Sequence, residues 1–264
     1  MKRSMVLVFA LVVSLLSTAA FAAASPADHL VAAWLFDEGL GAKVSDSSGL
    51  GHDGVFHNPK WARGKIGFAA DIVPGQASYI EVESTPALSP TDEMTITAWI
   101  YLNRLPGSNE ICLSWPADGC QLFNSRIVQA GTYDPERHQW GIEDNHYRFL
   151  LEYGSFIFQA GPGAEPDQIK LPMDDVVTAG QWMHIAGVYT GTSVDLYVDG
   201  ELLASEPSSG KLVQPENNRL FIGTKSPQAP GDDAWNGRLD EVAIFNKALN
   251  ADEIKLVMEG LGNL

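Results

Sequence analysis

Cysteine is nearly absent from this 264-residue chain: Cys112 and Cys120, in "CLSWPADGC", are the only two, and no histidine stands beside them. That shortage argues against a zinc site, which takes four closely spaced nitrogen or sulfur ligands. Positive charge is also scarce, with 17 Lys and Arg against 33 Asp and Glu and a formal net charge of −16. Nucleic acid and anionic membranes are therefore poor partners, since both call for a cationic face. Past residue 24 the chain has no apolar run long enough to span a bilayer, no low-complexity linker and hardly any helical periodicity.

What is present at the start is "MKRSMVLVFALVVSLLSTAAFAAA": a basic pair, an apolar run from Met5 to Leu16, and small residues at Ala20, Ala22 and Ala24. This reads as a secretory signal, residues 1–24, cleaved after Ala22 or Ala24. The mature chain, 25–264, is expected to be soluble, monomeric and exported to the periplasm, the cell surface or the medium. Losing Lys2 and Arg3 moves its formal charge from −16 to −18. Its roughly 240 residues suit one all-β domain. In an exported chain Cys112 and Cys120 are expected to close a loop disulfide, worth about 2.5 kcal/mol on a chain-entropy argument.

The mature sequence runs in short alternating segments: "YIEVES" (79–84), "MTITAWIYL" (94–102), "YRFLLEYG" (147–154), "WMHIAGVYT" (182–190), "VDLYVDGELLAS" (194–205) and "RLFIGT" (219–224). Each has the period of a strand with one buried face. Asp199-Gly200, between two such runs, predicts a tight hairpin. Many strands and turn residues with one helix predict an all-β, two-sheet antiparallel sandwich or jelly roll. The helix is placed at 250–259, with Asn250 as N-cap and Glu253 as its capping-box partner. Residues 103–146, rich in Pro and Gly, read as long loops where binding residues would sit.

Four blocks, "LVAAWLFDEGLGAKVSDSSGLGHDGVF" (30–56), "TITAWI" (95–100), "AGQWMHIAGVYTGTSVDLYVDGELLAS" (179–205) and "WNGRLDEVAIFNKALNADEI" (235–254), together resemble the laminin-G-like, concanavalin A-like jelly-roll family. The resemblance implies that first and last strands lie side by side, where a calcium ion can be held by carboxylates and backbone carbonyls. Asp240 is the leading candidate ligand, then Asp46 and Asp37, with carbonyls of the Gly49–Gly54 turn completing a structural Ca2+ site. The competing reading has Asp46 closing an Asx-turn with Ser48 and Asp240 pairing with Arg238 or facing solvent.

Sugars bind by stacking on flat rings beside a few polar groups. Trp34, Trp61, Trp99 and Trp182 fall in core-like patterns, whereas Trp115, Trp140, Tyr133 and Tyr147 lie in or beside the irregular region and are the candidate ligand contacts, with Trp235 as an outsider. A retaining glucanase on this fold would carry E-x-D-x-E or E-x-D-x-x-E on one strand, and neither occurs. "QAGTYDPERHQ" (129–139) resembles a strand of alginate lyases at one point, with Gln129 where the lyases have lysine; Tyr133, Arg137 and His138 are chemically able to move a proton. No catalytic residue is assigned. The expectation is a secreted, non-catalytic, lectin-like module for an extracellular glycan, with a protein-binding adhesion module as the competing class and a polysaccharide lyase or glycoside hydrolase as the second alternative.

Overall fold

The computed structural model describes residues 25–83, 85–105, 125–134, 139–161, 167–212, 214, 218–225 and 234–264, with backbone alone for 132–134, 139–145 and 218. In chain order the strands are β1 (Leu30–Trp34), β2 (Lys43–Val44), β3 (Gly54–His57), β4 (Trp61–Arg63), β5 (Phe68–Ile72), β6 (Tyr79–Val82), β7 (Met94–Leu102), β8 (Ser125–Asp134), β9 (Gln139–Glu152), β10 (Ser155–Ala160), β11 (Gln168–Pro172), β12 (Trp182–Tyr189), β13 (Ser193–Val198), β14 (Glu201–Pro207), β15 (Asn218–Ile222) and β16 (Gly237–Phe245). A single helical turn, α1 (Met173–Val176), follows β11, and α2 (Ala251–Met258) follows β16.

These strands form two eight-stranded sheets. The first runs β14-β13-β12-β7-β16-β5-β4, with β1 also paired to β16; the second runs β11-β10-β9-β8-β15-β6-β3-β2, and all these pairings are antiparallel. The all-β sandwich expected from the alternation is therefore present. Alternate residues of facing strands fill its core: Ile96, Ala98 and Ile100 of β7, Ile185 of β12 and Leu239 of β16 meet Val128, Phe149, Phe156, Phe158 and Leu220 of the second sheet. All are almost wholly excluded from solvent, and each large apolar side chain contributes about 1.5–3 kcal/mol through burial. Gly187 in β12 marks a close approach, since a Cβ there would stand 2.3 Å from the Phe158 ring.

On the outer face of the first sheet lies α2, whose Ile254 and Val257 pack in one cluster with Ala186, Val188, Ala243 and Phe245. The helix starts as its sequence dictates: the Asn250 side chain accepts from the Asp252 and Glu253 amides, and Glu253 returns a carboxylate to the Asn250 amide. The hairpin at Asp199-Gly200 forms with both residues in the left-handed region, φ 49° and 79°, as a two-residue turn between twisted strands requires.

The expectation of loops across 103–146 is corrected within the described residues: 125–134 and 139–152 are the long paired strands β8 and β9. A register shift between Arg126 and Val128 puts Ile127 and Val128 both into the core, so apolar residues stop alternating there and the strand period is hidden in the sequence. No helix among the described residues is long and apolar enough to cross a membrane.

Candidate functional site

The carboxylates nominated for calcium are each occupied by backbone donors. Asp46 accepts from the amides of Ala33 (3.0 Å), Ser48 (2.9 Å) and His52 (2.9 Å) and from the Ser48 hydroxyl (2.8 Å). It closes the Asx-turn and fastens the 46–52 loop to β1, and these hydrogen bonds hold its carboxyl below the usual range against the opposing effect of burial. Asp240 receives the Lys65 (2.8 Å) and Ile66 (3.1 Å) amides on Oδ2 and the Glu241 amide (2.9 Å) on Oδ1. Asp37 accepts from the Phe68 amide at 2.7 Å.

The acidic pair sits at a bulge, where β16 changes partner along one edge: residues 237–239 pair with β5 and 242–245 with β1. Glu241 takes φ 47° there, and its carboxylate accepts the Leu261 amide just beyond α2 at 2.6 Å. The two acids thus tie the β4–β5 turn and the C-terminal end of α2 to the last strand. Burial is the main cause that raises both carboxyls, Asp240 to about 7, with mutual repulsion adding to it at Asp240. Calcium would need these oxygens turned towards one point, yet they face amides. No group of three or more His, Cys, Asp or Glu that could hold a metal occurs among the described residues, so the donor set does not fit the ion.

Two nominated rings are corrected as core. Tyr147 is fully buried, packed with the inner face of β9, and its hydroxyl donates to the Leu88 carbonyl at 3.1 Å. Trp235 is equally buried in the same cluster. A ring with no exposed surface offers no platform for a sugar. Tyr133 and Trp140 are directly paired across β8 and β9, which places them at one end of the second sheet. Cys112, Cys120, Trp115, Arg137, His138 and the 1–24 signal lie outside the described residues.

Sequence reasoning missed the outer face of that second sheet. Gln159 in β10, Arg148 in β9 and Gln129 in β8 stand directly opposite one another, followed by Phe221 in β15. Neighbours in such a row have their Cβ atoms about 5 Å apart. Because of the bulge at 126–128, Arg126 joins the same face: its Nε donates to Gln129 Oε1 at 3.2 Å, and Nη2 reaches Glu152 Oε1 at 3.5 Å. Arg148 Nε donates to Gln159 Oε1. Leu150 and Ile157 form the apolar surround.

This polar row is buried: Gln129 is 0% exposed, Arg126 2% and Gln159 5%, while Arg148 keeps part of its surface open. Arg126 Nη1 has no hydrogen-bond partner among the described residues, nor does either ring nitrogen of His146, which stands at a bulge of β9 with its ring edge-on to buried Tyr147. Burial lowers His146 to about 4, so it is neutral at pH 7, and burial followed by the neighbouring Arg126 lowers Arg148 to about 10. A signal for the row did exist in the sequence, for "QAG" occurs at both 129–131 and 159–161, each time after apolar residues. A polar side chain held in a buried strand twice in one context marks a common face.

Elsewhere, half-buried Trp182 and Tyr101 touch on the first sheet with ring centroids 5.5 Å apart, Arg238 lies over Tyr101, and Lys65 lies over the buried Trp99. His184, at 1% exposure, packs edge-on against Trp99 and is held near 3 by burial, so it is a neutral core residue.

Comparison with known proteins bears on this geometry. A mouse (Mus musculus) pentraxin-related protein, PTX3, is 24% identical over 210 residues, covering 69% of this chain and 54% of the mouse protein, so the chain spans about half of that relative's length. Domain 4 of AbnA, an extracellular arabinanase from Geobacillus stearothermophilus solved with arabinotriose, superposes with TM-score 0.61 at 20% identity over 87% of this chain and 98% of that one. The botulinum neurotoxin serotype D ligand-binding domain, solved with N-acetylneuraminic acid, gives 0.59 at 12% identity over 89% and 52%. At these identities the structural likeness is one of fold. The family model Laminin_G_3, described as the concanavalin A-like lectin/glucanases superfamily, matches residues 74–255, most of the two sheets, and the chain therefore belongs to that family.

Proposed function

We propose that this chain is an exported carbohydrate-binding module that holds its ligand on the polar face of the second sheet. The observation that carries the reading is the buried row Gln159, Arg148 and Gln129 with Arg126 beside it. Burying guanidinium and carboxamide groups costs stability unless they are paired, and here each carboxamide oxygen is paired with a guanidinium, which fixes the geometry of the row. Of the row, Arg148 keeps part of its surface open and is the group that would meet a ligand, with Gln159 fixing its guanidinium and Gln129 and Arg126 buried beside it. Two fold neighbours solved with sugars, one with arabinotriose and one with N-acetylneuraminic acid, support the same reading. Export rests on the signal-like first 24 residues.

The test is titration calorimetry of the mature chain, residues 25–264, against neutral and acidic oligosaccharides, with Gln159→Ala as the site variant. Loss of one carboxamide hydrogen bond is expected to weaken binding about three- to tenfold. Binding of a saccharide with unchanged affinity in Gln159→Ala would put the site elsewhere, and binding of none would overturn the reading.

A further inference from the structure

The first sheet carries aromatic residues of its own on its outer face, at the end away from the Ala186 and Val188 cluster under α2. We infer that they form a second saccharide site, with Trp182 as the stacking ring and Tyr101 beside it, so that the chain is bivalent with one site on each sheet. The class of ligand rests on the carbohydrate-binding reading above, whereas the residues are independent of it.

Trp182 in β12, Tyr101 in β7, Arg238 in β16 and Asp71 in β5 stand directly opposite one another and form a ladder across the sheet. Its charged members have contacts of their own. Arg238 lies over the Tyr101 ring, 5.0 Å from the centroid, and donates to the Arg63 carbonyl at 3.4 Å, while Asp71 pairs with Lys60 at 3.0 Å. Trp182 is the open end. β13 pairs with β12 only from Ile185 onwards, so among the described residues the indole has Tyr101 on one side, at 5.5 Å, and no strand on the other. Both rings keep part of their surface open, and neither the Trp182 N–H nor the Tyr101 hydroxyl has a hydrogen-bond partner among the described residues.

The next row along the face supplies polar neighbours. Gly180 takes φ 77° in the turn before β12, where its amide donates to the Leu102 carbonyl at 2.8 Å. A Cβ there would meet only the Tyr101 hydroxyl, at 4.0 Å, so the glycine leaves open space beside that group. Asn103, two positions beyond Tyr101, donates through Nδ2 to Asn236 Oδ1 at 3.2 Å, which leaves an amide oxygen on the first and an NH2 on the second. A sugar ring has apolar C–H faces, and each of its hydroxyls both gives and takes a hydrogen bond. An open indole flanked by an N–H, a phenol hydroxyl, an amide oxygen and an amide NH2 meets both needs. A proline-rich peptide also docks on aromatic rings, but its prolines present acceptors alone and leave the Asn103 oxygen unused. The two rings are inclined by 56°, which suits successive residues of a turning chain in solution better than the flat face of a crystalline polymer.

The experiment is titration calorimetry of the mature chain with arabinan, galactan and xylan oligomers, on the wild type, Trp182→Ala and Gln159→Ala, each checked for folding by circular dichroism. The wild type is expected to bind two equivalents, of which Trp182→Ala weakens one by about tenfold or more and Gln159→Ala weakens the other. The wild type should also precipitate the corresponding polysaccharide and Trp182→Ala should not, because cross-linking needs two sites. Should Trp182→Ala fail to fold, Tyr101→Phe keeps the ring contact, removes the hydroxyl and is expected to weaken the same equivalent about threefold or more. A single equivalent that Gln159→Ala weakens and Trp182→Ala leaves unchanged overturns the second site and leaves the first standing. A single equivalent that only Trp182→Ala weakens upholds stacking at Trp182 and overturns both bivalence and the site on the second sheet. Binding of an octaproline peptide in place of the oligomers, lost in Trp182→Ala, overturns the saccharide assignment, and binding of no oligomer removes both sites together.

Discussion

At Asp46 four donors from Ala33, Ser48 and His52 converge on two oxygens, so the residue works as a knot between the first strand and the loop that follows it. Asp46→Ala would leave partly buried amides without acceptors and is expected to cost about 2–4 kcal/mol, measured as a lower urea midpoint at unchanged slope. Asp240 has a different signature because its ionised form is the expensive one. Its carboxyl sits near 7 in the fold against an ordinary 3.8, so the folded state binds the extra proton. The stability it contributes is full below about pH 4 and is lost as pH rises through about 7. His146 and His184, kept neutral by burial, act in the opposite direction, costing stability as pH falls below about 6.5. Comparing Tm against pH for the wild type and Asp240→Asn isolates the aspartate: the variant is expected to be less stable throughout and to lose the decline between about pH 4 and 7. Parallel curves would mean that Asp240 does not titrate in this range.

Among the elements, α2 was the most legible. Its capping box is written in four consecutive residues and needs nothing from the rest of the chain, and the observed Asn250 and Glu253 bonds are the ones the spacing implies. Asn250→Ala is expected to lower stability by about 1 kcal/mol, read from chemical denaturation. The Asp199-Gly200 hairpin was legible for the same local reason. β8 and β9 were not, because a bulge and polar residues on a buried face removed the alternation that identifies a strand. Tyr147 was misplaced with them, since a residue at the border of an irregular stretch and one on the inner face of a long strand look alike until the strand is drawn.

Over the whole molecule, the two sheets pack closely where Gly187 faces Phe158, with no room for a Cβ between them. Gly187→Ala would drive a methyl into the ring and is expected to cost about 2–3 kcal/mol; pairing it with Phe158→Leu should recover part of the loss, measured by thermal unfolding of the single and double variants. The acidic pair of β16 belongs to this scale as well. Asp240 and Glu241 hold a turn and a helix end separated from them by as many as 175 positions in sequence, which makes them fasteners of the assembled sandwich.

The sandwich class, the final helix with its cap, the Asp-Gly hairpin and the family resemblance were all present in the order of residues, because alternation, capping and tight turns are local chemistry. Which carboxylates meet amides, which rings are swallowed by the core, and which four polar side chains share one face were decided only when β8, β9 and β10 came together. Such neighbourhoods depend on register, and a bulge of one residue is enough to move a side chain from one face of a sheet to the other.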